Sequence, residues 1–153
     1  MDILQRKILN ENDECFVLRA SIDDPFVYLC FKGIIKRRYS NDEQISYHIQ
    51  ITKVLEDKEI IQTFLNRKRF RVFNNENGRT YNKKFYTYDL QQSFSFDSAF
   101  KKRFQNLYLD VHSSLVFDTE TEMINTYKNI NDHLISKLSN TLELLKQRHG
   151  NNQ

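Results

Sequence analysis

Between residues 44 and 56 the chain alternates with a period of two. Ile45, Tyr47, Ile49 and Ile51 fall on one side, and Ser46, His48, Gln50 and Thr52 on the other. Successive side chains of a strand point to opposite faces, so this segment predicts a strand with one buried face. Similar patterns predict strands at residues 15–22, 26–39, 69–73, 83–96 (one strand or a pair) and 107–117, the last with Leu107, Leu109 and Val111 on a common face. Asp23, Asp24 and Pro25 close the first of these with a turn. Gly33, inside the second, predicts a bulge or a bend.

Helical spacing governs other stretches. Ile60, Ile61, Phe64 and Leu65 predict a short helix over 57–68, with Asp57 as its cap. Phe100 and Phe104 predict a helical turn or two within 97–107, and Ile3, Leu4, Ile8 and Leu9 a short helix or a docking arm at 1–10. The best-marked helix is the last, over 119–149. Thr119 stands three residues before Glu122, the spacing of a capping box. Acidic residues open this helix, and Lys146, Arg148 and His149 end it before Gly150, in agreement with the helix dipole.

Written as heptads, this helix places Ile124, Asn131, Leu138 and Leu145 at one seam position and Tyr127, Leu134 and Thr141 at the other. Ile130, Ile135, Leu142 and Leu144 widen the stripe beyond a simple two-stranded seam. Such a stripe packs wholly on the chain's own sheet, or packs there on one side and meets a partner chain on the other. The candidate helix interface is therefore Ile124, Tyr127, Asn131, Leu134, Leu138, Leu142 and Leu145.

The order of these elements predicts an α+β fold. It consists of a small, bent antiparallel sheet or partly open β-barrel, a short inserted helix and a long C-terminal helix. Strand, strand, strand, helix, strand, strand is also the order of an OB- or SH3-like barrel. A length of 153 residues suits a single domain, mainly β over 14–117 and helical over 119–149.

Composition narrows the setting. A hydrophobic content of 39% excludes a disordered chain. Scarce Ala, Gly and Pro with abundant Asn, Lys, Ile, Tyr and Phe is what an AT-rich coding sequence yields, as in low-GC bacteria, their phages and some eukaryotes. No apolar run approaches the roughly 20 residues of a membrane-spanning helix, and the first residues lack the pattern of a secretion signal. Cys15 and Cys30 lie in apolar segments, as buried free thiols do. The expected setting is intracellular, without secretion, or a virion if the source is viral.

Little in the sequence points to chemistry. No glycine cluster could cradle a phosphate, and the four histidines have no metal-ligand spacing to one another or to cysteine. His48 and His112 are expected at the surface or the core edge. Ser113 and Ser114 follow His112, but adjacent residues of a strand point to opposite faces, so no catalytic pair is expected there.

The positive signal is basic and aromatic. From Ile61 to Phe104 there are ten Lys/Arg against three Asp/Glu, whereas the rest of the chain is mildly acidic. Three stretches interleave cations with aromatic rings: Lys36, Arg37 and Arg38; Arg67, Lys68, Arg69 and Arg71; and Lys101, Lys102 and Arg103. Cations neutralise phosphates and rings stack on unpaired bases, but a half-exposed strand gives the same string. These residues are a candidate face for an acidic protein or for nucleic acid. The reading that follows is a non-enzymatic structural or interaction subunit of a larger assembly, such as a virion or phage component, with protein partners or its own copies as neighbours. The alternative is an OB-like module that binds single-stranded nucleic acid. No cofactor, metal, membrane or small-molecule substrate is expected.

Overall fold

The computed structural model describes residues 7–41, 44–60, 68–73, 82–86 and 108–150, and for 69–73 and 82–86 the backbone alone. The fold is α+β, with an open antiparallel sheet and one long C-terminal helix. The strands are β1 (Glu14–Ala20), β2 (Tyr28–Asn41), β3 (Gln44–Val54), β4 (Arg69–Phe73), β5 (Asn82–Tyr86), β6 (Tyr108–His112) and β7 (Val116–Phe117). The described part of the inserted helix is α1 (Lys58–Ile60), where Asp57 accepts a 2.8 Å bond from the Glu59 N–H, as a cap should. A 3-10 turn (Ser113–Leu115) joins β6 to β7, and α2 (Glu120–Gly150) ends the described chain. Contacts divide the chain into a unit at Met1–Met123 and a second at Ile124–Gln153. The turn expected at 97–107 lies outside the described residues, as does most of the helix expected at 57–68.

Along the sheet the order is β5-β4-β6-β3-β2-β1-β7. Five strands, β6 to β7, form its body. β4 and β5 pair with each other, and among the described residues β4 joins β6 at the register pair Phe73↔Tyr108. Chain order follows the expectation, and the pairings add what order could not give. β6 takes the free edge of β3, and β7 takes that of β1.

This pairing forces curvature. β6 and β7 flank β3, β2 and β1, so a flat sheet would hold them about 19 Å apart, at roughly 4.8 Å per strand. Only Ser113, Ser114 and Leu115 connect them. Four Cα steps reach at most about 15 Å. The sheet must therefore curl until its flanks approach. The Arg19 guanidinium on β1 confirms the approach by donating from Nη1 to the Asp110 carbonyl on β6 at 2.5 Å.

The core fills the concave side. Lateral rows run Ile35–Ile49–Leu109 and Cys15–Gly33–Ile51 across neighbouring strands. All of these apolar side chains are buried, with Val17, Leu29, Phe31, Tyr47, Val54, Val111 and Val116. The period of two in residues 44–56 thus marks the buried face as expected. Residues 7–10 are not helical. Leu9 docks in the core instead, and its N–H donates to the Tyr47 hydroxyl at 3.1 Å.

Gly33 sits at one of two register shifts. Lys32 pairs with Lys53 and Gly33 with Ile51, so Thr52 is the extra residue, and its hydroxyl donates to the Lys32 carbonyl at 3.1 Å. At the second shift Ile35 pairs with Ile49 and Arg37 with His48, leaving Lys36 without a register partner. Each bulge sharpens local twist and bend, which is how a long hairpin takes part in a tight curl. The first loop also closes as expected: the Ser21 N–H donates to the Val27 carbonyl at 2.8 Å, and Asp24 accepts from the Phe26 N–H at 3.1 Å.

Candidate functional site

The convex face of the sheet was expected to be wet, and at its centre it is not. Register pairs place Arg37, His48 and Asp110 side by side on β2, β3 and β6. His48 is 0% exposed, a departure from the surface or core-edge position expected of it. Two contacts account for this. The Nδ1–H of His48 donates to the Asp110 carboxylate, and the Tyr108 ring stacks on the imidazole at 5.1 Å, 5° from parallel. A buried polar group persists only where its donors are met, and this pair meets one of them. The imidazole is sealed from solvent, so the pair braces β3 against β6.

His112 and Ser114 meet because the strand does not continue through them. The strand stops at His112, and Ser113–Leu115 turn as a 3-10 helix. His112 Nδ1 then accepts from the Ser114 N–H at 3.1 Å and lies 2.8 Å from the Ser114 hydroxyl. This is the geometry of a local cap, in which the imidazole does the work usually given to Asn or Ser. Among the described residues no group of three His, Cys, Asp or Glu side chains could hold a metal ion.

Cys15 and Cys30 are buried free thiols. Burial pushes Cys15 up to about 12 and raises Cys30 also, with Glu56 adding to the latter. The two occupy β1 and β2 at positions of opposite parity: Cys15 pairs with Gly33, while Cys30 pairs with Leu18. They therefore belong to opposite faces of the sheet.

Glu56 follows β3 and accepts from the Cys30 N–H at 2.8 Å. Its carboxyl is raised above the usual carboxylate range, because desolvation outweighs the Cys30 bonds that favour the ionised form. The folded chain thus keeps this proton at a pH where the unfolded chain has lost it. Stability from this group is fully present below the unfolded value and is lost as pH rises through the higher folded value. Glu56→Gln removes the titration. Urea unfolding at a series of pH values is expected to show the variant gaining on the wild type from pH 4 towards neutrality. A constant gap would refute the shift.

The basic candidates do not share one place. Lys36 is half-buried at the bulge, whereas Arg37 and Arg38 are exposed. Their register partners, His48 and Tyr47, belong to the convex and concave faces, so the two arginines leave the strand on opposite sides. Tyr39 beside them is also exposed. Lys68 is half-buried just before β4. Arg69 and Arg71 lie on β4, in register with Tyr86 and Lys84 of β5. Arg67, Lys101, Lys102 and Arg103 lie outside the described residues.

The helix gives the clearest surface. Its N-terminus forms as expected, with the Glu122 N–H donating to the Thr119 hydroxyl at 3.2 Å. Of the candidate interface, Ile124, Tyr127, Asn131 and Leu134 are half-buried. From Ile135 to Gly150 every residue is exposed, and Ile135, Leu138, Leu142, Leu144 and Leu145 keep between 44% and 60% of their surface in water. Four of these, Ile135, Leu138, Leu142 and Leu145, recur at spacings of three and four. That is a strict a/d seam over two heptads, with Asn131 one position before it and His149 one after. The sequence-based frame put Ile135 on the flank of the seam. The exposed frame turns slightly round the helix and takes Ile135 in. Leu144 falls outside it.

No helix among the described residues is long and apolar enough to cross a membrane. Comparison with protein families, curated proteins and solved structures finds no match to this chain.

Proposed function

We propose that this chain is a non-enzymatic subunit of a larger assembly, and that α2 is its docking element. The observation that carries the reading is the exposed a/d seam at Ile135, Leu138, Leu142 and Leu145. Scattered exposed leucines are ordinary, but a heptad-spaced row on one helix is the pattern of a surface awaiting another helix. The convex centre supports a non-catalytic role. Its one buried imidazole is closed to substrate, and the His112–Ser114 contact is spent on a local cap. A virion or phage particle is one assembly in which such a subunit would serve.

A photo-activated cross-linker tests the reading. Placed at Leu142 in chain expressed in its source, it is expected to give one discrete adduct. Placed at Asn140, on the opposite side of the helix, it is expected to give none. Equal yields from both positions, or none from either, would end the reading.

The second reading, single-strand nucleic-acid binding, is favoured by the exposed neighbours Arg37, Arg38 and Tyr39 on β2. It ranks lower because those arginines leave opposite faces, while a phosphate track needs its cations on one side. Steeply salt-dependent binding of a labelled single-stranded oligonucleotide, lost on Arg37→Glu with Arg38→Glu, would reverse the ranking.

A further inference from the structure

We infer that the partner of this seam is a second copy of the same chain, lying antiparallel to the first and centred near Asn140. The inference rests on the assembly reading and names the neighbour.

The seam is self-complementary in one direction. Antiparallel helices pack a positions against d positions of the partner. Centred near Asn140, the layers are Ile135 on Leu145, Leu138 on Leu142, and the same two repeated by symmetry. Each of the four layers joins two aliphatic side chains. The layer at either end pairs Asn131 with His149, so polar side chains bound the apolar run. Sliding by one heptad would bury these polar groups against leucine, which is how polar seam residues hold a register.

Charge selects the direction. Asp132 precedes the seam, whereas Lys146 and Arg148 follow it. In the antiparallel pair Asp132 of each copy lies beside Lys146 of the other, giving two symmetric attractions. The helix dipoles also oppose each other favourably. A parallel pair would gather two Lys146, two Arg148 and two His149 at one end with no acid between them. Residues on the back, Ser136, Lys137, Asn140 and Glu143, are polar and exposed, with Leu144 the one apolar side chain among them.

Size sets the strength. Eight half-exposed aliphatic side chains with their flanking stems would bury roughly 1,000 Å², the lower end for a specific interface. A symmetric dimer of two-fold type is expected, dissociating in the micromolar range.

Two measurements on the full chain test this. Sedimentation equilibrium is expected to show the mass rising from 18.5 kDa towards its double as concentration increases. Leu138→Asp is expected to hold it at the monomer value without loss of helix by circular dichroism. Orientation is read by cysteine pairing, with the buried Cys15 and Cys30 as a silent background. Leu138→Cys and Leu142→Cys are expected to stay uncross-linked when each is oxidised alone, and to join when mixed. In the antiparallel pair like positions lie about 10 Å apart, too far for a disulfide, which needs Cα atoms within roughly 7 Å. Cross-linking of Leu138→Cys alone would mean a parallel pair and overturn the inference. So would a monomer mass at every concentration. A monomer that still gives the Leu142 photo-adduct leaves the assembly reading standing with another partner, and a monomer without that adduct ends both.

Discussion

Gly33→Val is expected to abolish the folded state, and Gly33→Ala to cost about 3 kcal/mol or more. The reason is a close crossing of two strands at the register shift. A Cβ on Gly33 would stand 2.5 Å from Cγ2 of Ile49 and 2.6 Å from the backbone oxygen of Gln50. The first neighbour is a buried side chain of the core. The second is main chain held in the β2–β3 ladder. Neither can withdraw without pulling the ladder apart. Trimming Ile49 to Ala in the Gly33→Ala background removes the first clash and leaves the second, so it should not restore stability. Urea unfolding followed by near-ultraviolet circular dichroism reads both variants. A Gly33→Ala chain within about 0.5 kcal/mol of the wild type would show that the strands do not approach so closely.

The sequence carried the fold wherever one residue's environment could be inferred from its neighbours two or four positions away. The face of β3, the cap at Thr119, the Asp24 turn and the bulge near Gly33 are of this kind, since each depends on local spacing. What stayed hidden depends on which strands meet. No local pattern says that β6 will slot beside β3, so nothing foretold that Asp110 and Tyr108 would close over His48. The 3-10 turn at Ser113–Leu115 was missed for a related reason: residues 107–117 alternate well enough to pass for one strand. The curl itself ends the strand there, because the chain must cross from one flank of the sheet to the other.

The helix shows the same division from the other side. Its length, its ends and its apolar stripe follow from period, capping and charge. Its seam does not, because Ile124, Tyr127, Leu134 and Leu138 fit one frame as well as Ile135, Leu138, Leu142 and Leu145 fit another. Exposure separates them. Leu138 serves both; the other members of the first frame are half-buried, while the second is in water along its whole length.

That distinction predicts opposite outcomes for one substitution made twice. Leu109→Ala is expected to lower stability by about 2–5 kcal/mol, and Leu138→Ala by about 0.5 kcal/mol or less at concentrations where the chain is monomeric. Leu109 is fully buried, in register with Ile49 on β3, and belongs to the core of the curled sheet. Removing its side chain leaves a cavity that walls of ladder-bound backbone cannot close. Leu138 is more than half in water, so truncation there leaves no cavity. The order should change with concentration. Once the seam is occupied, Leu138 becomes a core residue of the pair, and the stability of Leu138→Ala should fall behind the wild type as both are concentrated. The Leu109→Ala deficit should stay constant, since its cavity belongs to the single chain. Thermal unfolding of the three proteins over a range of concentrations measures this. A Leu138→Ala deficit as large as that of Leu109→Ala in dilute solution would place Leu138 inside the monomer's own packing and remove the seam from the surface.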